Sequence, residues 1–258
     1  MKRTAIIVQA RMNSTRLPSK VMRRIGGRTV LDYVLTRCAA VPGVDVVVCA
    51  TVDHPDCDPI VAEASRLGAT VFRGSEDDVL SRYRGAAESV GADVIMRVTS
   101  DCPLIDPKVC RAVLRLRVEK DVDYACNNMP PSWPHGLDCE AFTLAALRQV
   151  EGDVREPIER EMLTRLMRTR PNYSRVSLLG PDGEWANMRL TLDTPADWAF
   201  FEALIPKLHD PDRASLGEIA AVLRANPSIA ALIVGQELHH GIRREAPTVS
   251  YREYLAAL

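Results

Sequence analysis

Through its first half the chain alternates short β-branched runs with stretches of helical spacing, and this alternation restricts the fold more than any other feature. Strands are predicted at 5–8, 45–49, 70–72, 94–98 and 124–126. Helices are predicted at 30–40 and 79–90, from Asp58-Pro59 toward residue 67, and from Asp106-Pro107 toward residue 120. An aspartate followed by proline reads as an N-cap with proline at the first helical position. Alternation of this kind folds as an α/β, Rossmann-like, three-layer α/β/α sandwich on a mostly parallel sheet. Ligands of open α/β sheets bind outside the carboxyl ends of the strands. The segments that follow the strands are therefore where function is sought.

Beyond residue 126 the alternation breaks. Residues 127–136 hold Pro130, Pro131, Pro134 and Trp133 and read as a loop. A strand is predicted at 137–142, helices at 143–150 and 157–169, strands at 174–178 and 188–192 about the turn Gly180-Pro181-Asp182-Gly183, and helices at 195–208 and 215–224. There is no repeat, low-complexity tract or clear linker. The expected organisation is one catalytic domain over 1–210, with 211–258 as a helical extension packed on it.

Composition excludes several classes. The 258 residues are 47% hydrophobic, enough for a full core, and the formal net charge of −1 gives no global attraction to nucleic acid or membrane. No apolar stretch approaches the length of a membrane span, and Met1-Lys2-Arg3 runs straight into a strand rather than a secretory core. A cytoplasmic location is expected. The seven cysteines form no CxxC pair or zinc spacing and read as small buried hydrophobes; Cys102, beside Asp101, is the one weighed as a nucleophile. His239-His240 reads as a surface pair.

Two aspartates sit in matching contexts. Asp101 follows the apolar run 94–98 and precedes Cys102-Pro103; Asp193 follows 188–192 and precedes Thr194-Pro195. Carboxylates at two strand ends could hold one hard cation, which points to phosphate chemistry. The segment after the first strand complements them. Arg11, Arg16 and Lys20 fall within ten residues, among small hydroxyl residues and no acid. Guanidinium forks and an ammonium at a strand end suit a polyphosphate. The segment is neither a GxxxxGK[ST] loop nor a GxGxxG turn.

The run Gln9-Ala10-Arg11-Met12-Asn13-Ser14-Thr15-Arg16-Leu17-Pro18-Ser19-Lys20 resembles the signature of the cytidylyltransferases that activate acidic sugars, nearest to their spore-coat polysaccharide biosynthesis protein F branch. Blocks at 71–83, Thr99 to Pro107, Pro134 to Glu140 and Arg189 to Asp197 are similar to that family's in the same order, and the resemblance spans roughly 4–205. It implies a nucleotide-diphospho-sugar transferase (GT-A-like) fold, transfer of CMP from CTP to a sugar or sugar acid with release of pyrophosphate, Mg²⁺ as cofactor and a homodimer. By the same resemblance, Asp101 and Asp193 match the metal positions, and Arg11, Lys20 and Asp101 the catalytic ones. Gln9, Ala10, Ser14, Thr15, Arg16, Thr51, Arg73, Ser75, Thr99 and Ser100 join Arg11 and Lys20 as nucleotide-binding positions. His135, Asp138, Glu140 and Arg160 are expected at the acceptor.

Two positions depart from the family pattern: His135 stands where an Asp is usual, and Met162 where a His is usual. Both bear on acceptor choice. Two other readings compete. A GT-A glycosyltransferase would use an Asp-x-Asp at a strand end, for which Asp121-Val122-Asp123 is the candidate, although it precedes its strand. A non-catalytic nucleotide-binding protein would have lost its acids or its cations, and both sets are present.

Overall fold

The computed structural model describes residues 2–181, 184–238 and 246–256; His239-His240 and the second half of the 180–183 turn lie outside them. In chain order the strands are β1 (Thr4–Gln9), β2 (Arg24–Ile25), β3 (Arg28–Thr29), β4 (Val46–Val52), β5 (Thr70–Gly74), β6 (Val94–Thr99), β7 (Tyr124–Cys126), β8 (Glu140–Thr143), β9 (Arg175–Leu179) and β10 (Thr248–Ser250). The helices are α1 (Val30–Ala39), α2 (Asp58–Arg66), α3 (Val79–Ser89), α4 (Pro107–Glu119), α5 (Leu144–Asp153), α6 (Pro157–Glu161), α7 (Arg165–Thr169), α8 (Pro195–Leu204), α9 (Leu216–Ala225), α10 (Pro227–Ala231) and α11 (Tyr251–Ala256).

Eight strands form one sheet in the order β10-β9-β7-β8-β6-β1-β4-β5. Only β8 runs against its neighbours β6 and β7; the other pairs are parallel. The central strands are buried on both faces, as a parallel sheet requires. Along β1, Ile6 and Val8 enter one core with α1, α2, α4 and α8, while Ala5 and Ile7 enter a second with α3, α5 and α7. The period of two along the strand assigns alternate side chains to the two layers.

Helix starts follow the sequence. Thr29, Asp78, Asp106, Thr143 and Ser215 each accept a backbone N–H from the first turn of the following helix. Asp58 differs. The N-cap of α2 is Cys57, and the Asp58 carboxylate pairs with Arg73 instead.

Four expectations are corrected. The strand predicted at 137–142 begins only at Glu140, so Asp138 precedes the sheet. The helix predicted at 157–169 is two short helices, because Leu163 turns into the core between them. The 188–192 run is extended but joins no strand. Its polar backbone is satisfied by loops: His135 N–H donates to Met188 O at 2.9 Å, Leu190 N–H to His135 O at 2.6 Å, and Leu192 N–H to Asp101 O at 2.8 Å. Finally, the C-terminal segment is not wholly helical, since β10 extends the sheet beside β9.

Candidate active site

A cleft of about 1030 Å³ opens at the carboxyl ends of β1 and β6. Its floor is the sheet face that carries the α3–α5–α7 core. That face turns from apolar to polar toward the strand ends: Ile7 is followed by Gln9, and Ile95 by Arg97 and Thr99.

The β1 loop forms one wall. Leu17 is buried beneath it, Ser19 takes a left-handed backbone (φ 54°), and Ser14 and Ser19 N–H both donate to Met12 O. This compact turn sets Arg11, Ser14, Thr15, Arg16 and Lys20 along the cleft. Ala10 is buried and takes part only through its backbone, donating to Ala50 O at 3.1 Å.

Asp101 and Asp193 converge on a single cation. The Lys20 ammonium stands 2.9 Å from Asp101 Oδ2, 2.8 Å from Asp193 Oδ1 and 2.9 Å from the Leu192 carbonyl. The Arg16 guanidinium adds a pair to Asp193 Oδ2 at 3.3 Å. Burial alone would lower the Lys20 pKa, but the two carboxylates hold it above its ordinary value. Burial would likewise raise Asp101; the Lys20 charge and bonds from Thr99 and Lys20 bring it down to about 2 instead. Both groups are thus charged at neutral pH.

Asp193 is positioned by a buried frame. Thr194 and Asp197 form a capping box at the start of α8, and Asp197 Oδ2 accepts the N–H groups of Asp193 and Thr194, both at 2.9 Å. Arg189 grips Asp197 with two bonds, at 2.7 and 2.8 Å, and donates to Glu237 O at 2.6 Å. The bond from Leu192 N–H to Asp101 O ties this arm to the β6 turn.

The donor set suits a hard divalent cation. Two carboxylates already enclose a positive charge, and Mg²⁺ is commonly held by one or two carboxylates with phosphate oxygens and water completing the shell. Among the described residues no cluster of three or more His, Cys, Asp or Glu forms an all-protein metal site. A metal here would therefore share its shell with substrate.

Of the remaining expected positions, Gln9, Thr99, Ser100, His135, Asp138 and Arg160 line the cleft. Gln9 Oε1 is buried with no hydrogen-bond partner, an acceptor free for a ligand donor. Asp138 accepts from Asn128 at 3.1 Å and from Gly136 N–H at 3.0 Å, and Arg160 pairs with Asp78 at 2.6 Å.

Besides Ala10, four expected positions lie outside the cleft lining. Thr51 is fully buried, under the β4–β5 edge of the sheet. Arg73 is occupied on the surface by Asp58 and the His54 carbonyl. Ser75 accepts from Asp78 N–H and closes the turn into α3, so Glu76, Asp77 and Asp78 line the cleft in its place. Glu140 is only 2% exposed and is taken up by Arg97, Arg168 and Tyr124. Those two arginines line the cleft and were missed from sequence, although a charge inside the apolar run 94–98 of a central strand was a usable signal.

Cys102 is no nucleophile: the thiol is buried, and burial with the neighbouring Asp101 charge pushes its pKa well above the ordinary value. The Asp121-Val122-Asp123 turn precedes β7, at the end of the strand away from the cleft, and Asp123 is bonded to Ser174. It cannot act as the Asp-x-Asp of a glycosyltransferase here.

Comparison with known proteins identifies the family. A family profile described as Cytidylyltransferase matches residues 5–168. The chain is 33% identical to the spore coat polysaccharide biosynthesis protein SpsF of Bacillus subtilis, over 87% of this chain and 95% of that one. It is 31% identical to an uncharacterized protein of Methanocaldococcus jannaschii over 96% and 97% of the two chains. Among solved structures, a cytidylyltransferase from Leptospira borgpetersenii superposes with a TM-score of 0.85 at 30% identity, covering 93% of this chain and 100% of that one. With a matched family profile over most of the sheet and a relative of the same length, the chain belongs to the cytidylyltransferase family, the CTP-dependent nucleotidyltransferases.

Proposed function

We propose that the protein transfers CMP from CTP to a sugar or sugar-acid acceptor, using Mg²⁺ held between Asp101 and Asp193, in the synthesis of a surface polysaccharide or related glycan. The observation that carries this reading is the convergence of those two carboxylates on Lys20, an ammonium of the basic loop that lines the same cleft. The name of the Bacillus relative supports the polysaccharide setting.

In this reading Arg11, Arg16 and the loop around Ser14 and Thr15 hold the triphosphate, while Gln9, Thr99 and Ser100 face the nucleoside. His135, Asp138 and Arg160 stand on the acceptor side. The acceptor oxygen bonds to the α-phosphorus, and the bond from that phosphorus to the α–β bridging oxygen breaks. Its electron pair leaves on pyrophosphate, and the proton of a hydroxyl acceptor passes to solvent. Bound Mg²⁺ supplies charge neutralisation of the phosphoryl oxygens and lowers the pKa of the attacking hydroxyl. The protein's part is positioning and fixed charge: Arg11, Arg16 and Lys20 meet the negative charge that builds as pyrophosphate departs. A homodimer and a cytoplasmic location belong to the same proposal. No helix among the described residues is long and apolar enough to cross a membrane.

The test is pyrophosphate release from CTP and Mg²⁺ over a panel of keto-deoxy sugar acids, nonulosonic acids and neutral sugars. Asp101→Asn and Asp193→Asn should each lower turnover by roughly a hundredfold or more. Turnover that survives both substitutions refutes the metal assignment. Hydrolysis of a nucleotide-sugar with no pyrophosphate from any acceptor refutes the reaction.

A further inference from the structure

Among the described residues, two side-chain amide oxygens are buried with no hydrogen-bond partner, Gln9 Oε1 and Asn128 Oδ1, and both residues line the cleft. A buried acceptor without a donor is costly, so each marks a place where a ligand or water donor belongs. Gln9 ends β1, beside the basic loop, and faces the nucleoside in the transfer reading. Asn128 lies two residues past β7, with β8 and β6 standing between that strand and β1. Three strand spacings, roughly 14 Å, separate β7 from β1, so one small group cannot meet both oxygens. Nothing in the transfer reading uses Asn128.

The orientation of the Asn128 amide is fixed by its neighbour. Its Nδ2 donates to Asp138 Oδ1 at 3.1 Å, and a carboxylate accepts but does not donate, so the amide cannot turn over. Asp138 is held in turn by Gly136 N–H, which donates to Oδ2 at 3.0 Å. Asn127 differs. It is fully buried, its Nδ2 donates to Leu137 O at 2.7 Å, and its Oδ1 accepts from Cys139 N–H at 2.9 Å, so both ends of that amide close the loop. Asn128 uses only its donor end. The charge behind it matters as well. The ion pairs of other half-buried cleft carboxylates, Lys20 with Asp101 and Asp193 and Arg160 with Asp78, leave Asp138 out. A carboxylate on the Nδ2 side polarises the amide and strengthens its oxygen as an acceptor.

We propose that Asn128 is a specificity-determining residue for the acceptor: its Oδ1 accepts a hydrogen bond from a hydroxyl or amino group of the acceptor, and Asp138 is the positioning residue that fixes the amide. The assignment rests on the reading of this cleft as the cytidylyl-transfer site and adds to it a chemical requirement, a hydrogen-bond donor on the part of the acceptor nearest β7. An oxyanion at that point would meet an amide oxygen backed by a carboxylate and is disfavoured. A site built to bond a donor rejects the analogue that lacks it, because the protein oxygen is then left unpaired.

The test uses calorimetric titration of the full chain with 3-deoxy-manno-octulosonate, N-acetylneuraminate, glucose and glucosamine, with and without saturating α,β-methylene-CTP and Mg²⁺. The variants are Asn128→Leu and Asp138→Asn. At least one probe should bind saturably to the wild type, and one of its analogues lacking a single hydroxyl or amino group should bind at least about tenfold more weakly. Asn128→Leu should weaken the parent probe by a similar factor and bind parent and analogue alike, which a general loosening of the loop would not produce. Asp138→Asn should narrow the same difference about three- to tenfold, and it decides the matter alone if Asn128→Leu does not fold. Affinity for α,β-methylene-CTP should stay within about twofold in both variants. Tighter binding of glucosamine than of glucose names an amino group; the reverse names a hydroxyl. Absence of saturable binding by any probe, a parent–analogue difference that survives Asn128→Leu, or an equal loss of α,β-methylene-CTP affinity overturns the assignment. Failure of α,β-methylene-CTP to bind the wild type is a separate result: it strikes the nucleotide reading and leaves the probe titrations on the free protein to decide the role of Asn128.

Discussion

Gly136 lies flat against the backbone of Leu190. Its φ is +110°, and a Cβ there would stand 2.6 Å from Thr191 N and closer still to the Leu190 carbonyl. This contact joins the loop after β7 to the arm that carries Asp193, through the paired backbone of His135 and Leu190. Only glycine allows both the conformation and the approach. Gly136→Ala should therefore push the arm away from Asp101, lower pyrophosphate release at least about tenfold, and cost about 1–3 kcal/mol of stability. Steady-state kinetics and urea unfolding check both effects.

Asp197 never faces the cleft, yet it holds the Asp193 turn. Asp197→Asn removes one charge from the Arg189 grip and weakens its hold on the Asp193 and Thr194 N–H groups. The apparent Mg²⁺ affinity in the presence of CTP should fall by about ten- to a hundredfold, the usual range for groups that orient a metal ligand. A change in CTP affinity measured without metal would argue against this positioning role.

Lys20 bonds two carboxylates at once. Lys20→Met leaves Asp101 and Asp193 facing each other, and should cost about 1–3 kcal/mol in the absence of metal. Added Mg²⁺ should then raise the variant's Tm more than that of the wild type, because the cation replaces the lost ammonium. Equal Mg²⁺ shifts in both proteins would contradict a shared cation site.

Glu140 gives a pH signature. Burial alone would raise its pKa, but Arg97 and Arg168, with a bond from Tyr124, hold it at about 2 against an ordinary 4.5. A carboxyl group whose pKa is depressed on folding contributes stability above its unfolded value and loses it as pH falls through the folded one. The contribution is complete above about pH 4.5 and fades toward pH 2. Glu140→Gln should cost about 3 kcal/mol at pH 7, since it leaves two guanidiniums unpaired. The gap between variant and wild type, followed by urea unfolding, should narrow between pH 4.5 and pH 2.

Glu140 also marks where reading the chain stopped. The strand predicted at 137–142 held both Asp138 and Glu140, each expected at the acceptor, but β8 starts at Glu140 and the register partner of Glu140 is Arg97. Strand pairing between residues so far apart is set by the whole sheet. Ile158 was likewise hidden inside one predicted helix, because the break at Leu163 comes from core packing rather than from a proline or glycine.

The alternation of runs, most of the helix caps, the basic loop after β1 and the aspartate at the end of β6 were legible in the chain, because hydrophobic period, capping and turn chemistry act over a few residues. They were enough for a mostly parallel α/β sheet and for the expectation of a phosphate-binding edge. Tertiary structure alone decided that Asp101 and Asp193 meet at one ammonium, that Arg73 and Ser75 serve the frame rather than the cleft, and that Arg97 and Arg168 reach its floor over a buried carboxylate. Each of these depends on partners brought together from distant parts of the chain, and a charge in a low-dielectric interior takes its role from the partner that compensates it.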